Sequence, residues 1–127
     1  MAGIYIHIPF CKQACTYCDF HFSTSTKLVD RVVSALAKEA EMRKNEAREI
    51  IRTVYFGGGT PGILSIAQLE KLMDTIRANF QISSDAEITL ETNPDDVSVE
   101  KTKGWSCLGI NRLSIGIQSF FDEQLIW

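Results

Sequence analysis

The sequence predicts an α/β protein with a parallel sheet that curves as part of a barrel. Four strand-like stretches alternate with helical patterns, which calls for parallel strands joined by right-handed crossovers. Each stretch has one aliphatic face and one more polar face. That division suits helices on one side and an enclosed interior on the other. The competing architecture is a complete small domain of flavodoxin type, with helices on both sides of the sheet. It leaves the polar faces unexplained.

The elements follow in order. Over residues 3–8, Ile4, Ile6 and Ile8 point one way, and Tyr5 and His7 the other. Pro9 has no N–H and ends that ladder. Ser23 to Thr26 supplies N-cap candidates. From Lys27 to about Arg48, Leu28, Val29, Val32, Val33, Leu36, Ala37 and Ala40 recur at helical spacing. The mixed charges from Lys38 to Glu49 read as a solvated helix face. Ile50 to Phe56 is the second strand, followed by the turn Gly57-Gly58-Gly59-Thr60-Pro61. Ser65 with Gln68 makes a capping box, and Leu64 with Leu69 a hydrophobic staple. Leu69, Leu72, Met73, Ile76 and Phe80 are that helix's buried stripe.

Ala86 to Thr92 is the third strand, with Ile88 and Leu90 on one face and Glu87, Thr89 and Glu91 on the other. A helix fits Val97 to Leu108, with Gly104 as an interruption and Gly109 as its C-terminal cap. In the fourth strand, Leu113 to Gln118, the residues Leu113, Ile115 and Ile117 oppose Ser114, Gly116 and Gln118. Phe121 to Trp127 begins a further helix.

Composition narrows the function. A chain of 127 residues with 45% hydrophobic and 23% charged residues suits one globular domain. A net charge of −3 argues against a nucleic-acid partner. No apolar run approaches the ~20 residues that span a bilayer, so no stable membrane insertion is expected. The N-terminal residues do not read as a signal peptide. Three of the four cysteines crowd together and Cys107 stands apart, a usage that fits a reducing, cytoplasmic setting.

The crowded cysteines are Cys11, Cys15 and Cys18 in the run Cys11-Lys12-Gln13-Ala14-Cys15-Thr16-Tyr17-Cys18. Closely spaced thiolates suit an iron–sulfur cluster. Three thiolates hold three irons of a cubane and leave the fourth open to a ligand that is not protein. Zinc is the other reading, with His21 completing a Cys3His set. It would make the chain a metal-stabilised binding module without catalysis.

The spacing C-x3-C-x2-C with Tyr17 before the last cysteine resembles the radical S-adenosylmethionine (SAM) superfamily. Ile4 to Phe10, Cys18-Asp19-Phe20, Phe56 to Pro61, Leu90 to Pro94 and Asn111 to Phe120 extend the likeness to the group related to oxygen-independent coproporphyrinogen III oxidase. These blocks occur in order over nearly the whole chain. The resemblance implies a (β/α)6 partial barrel, of which about four βα units are present, so residues 1–127 read as the N-terminal part of a truncated radical SAM core. It further implies a [4Fe-4S] cluster on Cys11, Cys15 and Cys18, with SAM on the remaining iron and reductive cleavage to a 5′-deoxyadenosyl radical.

Other residues take their roles from the same resemblance. The glycine turn, at Gly58, Gly59 and Thr60, meets the SAM amino group. Tyr5 and Tyr17 line the SAM site. Glu91 serves the ammonium or the ribose, and Gln118 the hydroxyls. Each also has an ordinary structural use, as a turn, an aromatic contact or a hydrogen bond. The glycine N–H groups are available as donors. His7 reads as a support behind the cluster, and Cys107 as a small buried apolar residue. Oxidase-like sequences carry a further cysteine just after the third ligand, where this chain has Asp19. The Cys-Asp-Phe form resembles the heme-chaperone branch, which implies heme or a porphyrin as cargo and heme-accepting proteins as partners. The oxidase of porphyrin biosynthesis is the alternative.

Overall fold

Strict alternation in the first strand sends Ile6 and Ile8 into the interior and leaves Tyr5 exposed. The same period organises a sheet of four parallel strands. The structure is a computed structural model and describes residues 2–14 and 22–125. Cys15, Tyr17, Cys18, Asp19, His21 and Trp127 lie outside the described residues. The elements are β1 (Ala2–Ile8), α1 (Val29–Met42), β2 (Ile51–Gly58), α2 (Ile66–Asn79), β3 (Ile82–Thr92), α3 (Val99–Cys107) and β4 (Arg112–Ile115).

The strand order is β1-β2-β3-β4, with every pair parallel. Neighbours in sequence are neighbours in space, so the sheet winds in one direction. Right-handed crossovers then put every helix on the same face. Residues from α1, α2 and α3 accordingly join the strands in one core cluster, including Val33, Met73, Trp105, Val54, Phe56 and Leu90. A flavodoxin-type sheet, which reverses direction and carries helices on both faces, is excluded. Among the described residues β1 and β4 are unpaired with each other, so the sheet is an open arc.

Local signals explain most boundaries. Ser65 accepts from the Gln68 N–H, and the Gln68 side chain accepts from the Ser65 N–H, closing the expected capping box. Leu64 and Leu69 are both buried beside it. The Gly109 N–H caps α3 on the Ser106 carbonyl, at a φ of 84°.

Several expectations need correction. α1 stops at Met42, not near Arg48. Beyond Ala40 no apolar residue recurs at helical spacing until Ala47, so no buried stripe holds further turns. α3 begins at Val99, capped by Ser98, and runs through Gly104 unbroken. A Cβ at Gly104 would lie 2.5 Å from Ile66 Cδ1, so this glycine lets α3 close on α2. Cys107 is exposed, not buried. The buried side of α3 is taken by Trp105, with Leu108 just beyond the helix, and Cys107 lies on another side. β4 ends at Ile115, short of Gln118. Its partner β3 ends at Thr92, where Pro94 opens a 3-10 turn and the ladder has nothing left to pair with. Past Phe121 only a 3-10 turn, Asp122–Gln124, forms within the described residues.

Candidate functional site

Of the expected site residues that are described, Tyr5 lies on β1, Gly58 ends β2 and Glu91 lies near the end of β3, while Cys11, Gly59 and Thr60 follow β1 and β2 and Gln118 follows β4. A parallel sheet gathers these at one edge, the C-terminal ends of the strands.

The loop after β1 carries Cys11. Its neck is closed by Ser23, which donates its N–H to the Pro9 carbonyl at 2.8 Å and accepts from the Cys11 N–H at 3.1 Å. The glycine turn packs against this neck. Gly59 donates to the Ile8 carbonyl at 2.8 Å, and Thr60 to the Phe10 carbonyl at 2.7 Å. A Cβ on Gly59 would collide with the Phe10 carbonyl oxygen and lie 2.9 Å from Cys11 Sγ. Only glycine allows that approach. Thr60 is buried, with its hydroxyl 3.8 Å from Cys11 Sγ and accepting from Asn93 Nδ2 at 3.4 Å.

Glu91 ties β3 to β2. Tyr55 donates its hydroxyl to Glu91 Oε1 at 2.5 Å, and the Gly58 N–H donates to Oε2 at 3.1 Å. Gly58 has a φ of 112°, and a Cβ there would meet the His7 ring at 2.7 Å. The N–H groups of Gly58, Gly59 and Thr60 are therefore all engaged within the chain, which corrects the expectation that they stand ready as donors. Gly58 serves the Glu91 carboxylate, and Gly59 and Thr60 serve the backbone of Ile8 and Phe10 at the start of the cysteine loop.

Tyr5 stacks on Tyr55, ring centroids 6.0 Å apart, and shares a 3.1 Å hydrogen bond with His7 Nδ1. Burial, then the Glu91 charge, raises the Tyr5 pKa above the ordinary tyrosine value. The Tyr55 pKa is also raised, first by its hydrogen bond to Glu91 and then by burial, against smaller opposing effects of Ser114 and Arg112. On the cysteine loop, Lys12 reaches Asp95 at 2.7 Å and Asp96 at 2.6 Å. Its pKa is raised by these two hydrogen bonds, while desolvation works the other way.

Cys11, Gly58, Gly59, Thr60 and Glu91 are thus joined by direct contacts or shared hydrogen bonds. Tyr5 flanks them on the polar face. Gln118 is placed by the backbone that follows β4: its Nε2 donates to the Gly116 carbonyl at 3.2 Å, and a Cβ on Gly116 would approach both Gln118 Nε2 and Asn93 Oδ1. It borders the edge beside Asn93. Cys15, Cys18 and Tyr17 lie outside the described residues, and among the described residues no three His, Cys, Asp or Glu side chains gather as a metal site.

Sequence reading missed Tyr55, Asn93, Lys12 and Asp96. Tyr55 had a signal, since its parity on β2 opposes that of Val54 and Phe56. Lys12 and Asp96 had none, being far apart along the chain.

A family model described as the Radical SAM superfamily matches residues 5–126. The heme chaperone HemW of Bacillus subtilis (strain 168) is 45% identical, covering 98% of this chain and 34% of that protein. HemW of Escherichia coli (strain K12) is 40% identical, over 97% of this chain and 33% of its own length. This chain spans about a third of the length of those curated relatives. A solved structure described as coproporphyrinogen III oxidase (HemN) from Escherichia coli, a radical SAM enzyme, matches with a TM-score of 0.88 and 35% identity, covering 95% of this chain and 29% of that one. No helix among the described residues is long and apolar enough to cross a membrane.

Proposed function

Because the chain belongs to the radical SAM superfamily, we propose that it forms the N-terminal, cluster- and SAM-binding part of a heme chaperone. In this reading Cys11, Cys15 and Cys18 hold a [4Fe-4S] cluster, and SAM completes the coordination of the remaining iron. The cluster, when bound, supplies the electron for reductive cleavage of SAM. The supporting observation is the contact between the Cys11 loop and the glycine turn, where bare backbone at Gly59 makes room beside a thiol. A soft donor cradled this way fits an iron–sulfur group.

The remaining residues of the chain receive the SAM. With their N–H groups engaged, Gly58, Gly59 and Thr60 would meet the SAM ammonium through carbonyl lone pairs, that of Thr60 also accepting from the Ile63 N–H at 3.1 Å. Glu91 is already oriented by Tyr55 and Gly58; its further lone pairs can accept from the ammonium or a ribose hydroxyl. Tyr5 and Tyr17 flank the site, and Gln118 takes hydroxyls. Heme or a porphyrin is the cargo, passed to heme-accepting proteins in the cytoplasm.

HemW likeness at 45% and 40% identity supports the chaperone. A second reading, an oxidase of coproporphyrinogen III, has the structural likeness to HemN in its favour. Asp19 stands where oxidase-like sequences have a further cysteine, which weighs against it. Heme titration of the longer protein decides. Stoichiometric heme binding, with little protoporphyrinogen IX formed from coproporphyrinogen III, SAM and a reductant, is the expected result. Robust decarboxylation without heme binding makes the oxidase correct. Anaerobic reconstitution should give iron and labile sulfide; zinc without sulfide would instead indicate a non-catalytic zinc module.

A further inference from the structure

Asp96 sits on the 3-10 turn that follows β3, and its side chain is only 2% exposed. Its Oδ1 lies 2.6 Å from Lys12 Nζ and 4.0 Å from Lys101 Nζ. Lys101 also donates to the Gly62 carbonyl at 2.7 Å. One buried carboxylate thereby joins the cysteine loop, the turn after β2 and the first turn of α3. The neighbouring Lys12–Asp95 pair is solvent-exposed on both sides, so screening leaves it a weak tie.

This ion pair is a poor way to gain stability, because Asp96 is desolvated while Lys12 is half exposed and screened. An apolar contact of similar size would stabilise the turn as well. The ion pair instead supplies direction, since a charge-assisted hydrogen bond holds its donor at a set place. Its donor is the residue next to Cys11. On the other side of Cys11, the Ser23 clasp and the Gly59 contact fix the neck.

We propose that Asp96 is a positioning residue for the cysteine loop: through Lys12 it ties the segment bearing Cys11 to the β3–α3 turn and sets the thiol beside Thr60 before any cluster is loaded. Only the consequence for iron rests on the reading of Cys11 as a cluster ligand.

Amide hydrogen exchange on the metal-free full chain tests the tie, read at the Cys11 N–H that donates to Ser23. Lys12→Met and Asp96→Asn should each speed that exchange about tenfold, the effect of one charge-assisted hydrogen bond. The double variant should add nothing further, and Lys12→Arg should restore slow exchange. Amides of β2 and α2 should not change. Unaltered Cys11 exchange in both single variants overturns the proposal. If Asp96→Asn does not fold, Lys12→Met decides together with Asp95→Asn: exchange must rise in the first and stay slow in the second, and an equal rise in both overturns the proposal. After reconstitution, Lys12→Met should release iron to a chelator about tenfold faster; an equal rate removes the role in holding the cluster. Wild-type protein that takes up no iron, while Cys11 exchange still responds, refutes the cluster reading and leaves the tie standing. Normal iron uptake with unresponsive exchange does the reverse.

Discussion

Phe56 and Tyr55 are adjacent on β2, yet they live in different environments. Phe56 is 0% exposed beneath the helices, in the same cluster as Val54, Leu90 and Met73. Tyr55 stands on the open face, stacked on Tyr5 and bonded to Glu91. The comparison extends along the sheet: Ile6 and Ile8 against Tyr5 and His7, Ile88 and Leu90 against Glu87 and Glu91. One face holds the fold together by burial. The other arranges polar groups with few apolar contacts of its own. A strand period of two therefore assigns stability and site chemistry to alternate residues, and the two should be separable by mutation.

The largest separation should come from Phe56→Ala. Deleting this ring leaves a cavity between sheet and helices, with an expected loss of about 3–5 kcal/mol, read as a lower midpoint in urea. A loss below about 1 kcal/mol would mean that the covered face is not the main source of stability.

Gly59→Ala lies between the two faces. Its Cβ would strike the Phe10 carbonyl, a backbone atom that cannot swing aside. A cost of about 1–3 kcal/mol is expected, and the Cys11 loop must shift with it. Iron uptake on reconstitution should fall more than the stability loss alone explains. Full uptake would show that the close approach serves only the turn.

The smallest effect belongs to the open face. Tyr55 has a folded pKa above its unfolded value of about 10, so the folded state keeps its proton longer as pH rises. Its contribution to stability is fully present below about pH 10 and is lost as pH climbs through the folded value. Tyr55→Phe should flatten that alkaline decline, after allowance for Tyr5, which is shifted the same way. It should lower the neutral-pH unfolding midpoint by that same contribution, a much smaller drop than that of Phe56→Ala. An unaltered alkaline limb would remove the Tyr55–Glu91 bond from the account.

The outer end of the sheet gives a second contrast. β1 and β2 bury their aliphatic residues well, whereas Ile115, Ile117, Phe120, Phe121 and Leu125 are 43–87% exposed. Leu113, the partner of Leu90, is only partly buried.

Local chemistry determined a good part of this protein in advance. The alternation in β1, β2 and β3, the Ser65–Gln68 box and the Gly109 cap act over a few residues, so each is written in a short window of sequence. Sequential strands with consistent phase were enough to predict a singly wound sheet. The spacing of Cys11, Cys15 and Cys18 and the glycine run marked the candidate site before any coordinate did. Tertiary structure decided the rest. Where β4 stops depends on where β3 stops, and which side of α3 carries Cys107 depends on the room taken by Trp105. The partners of Glu91 follow from the β2–β3 register that sets Tyr55 beside Thr89 and Phe56 beside Leu90. The pairing of Lys12 with Asp96 needs the loops of β1 and β3 at one edge. Such contacts join residues far apart in the chain, and only the pairing of the strands brings them within reach.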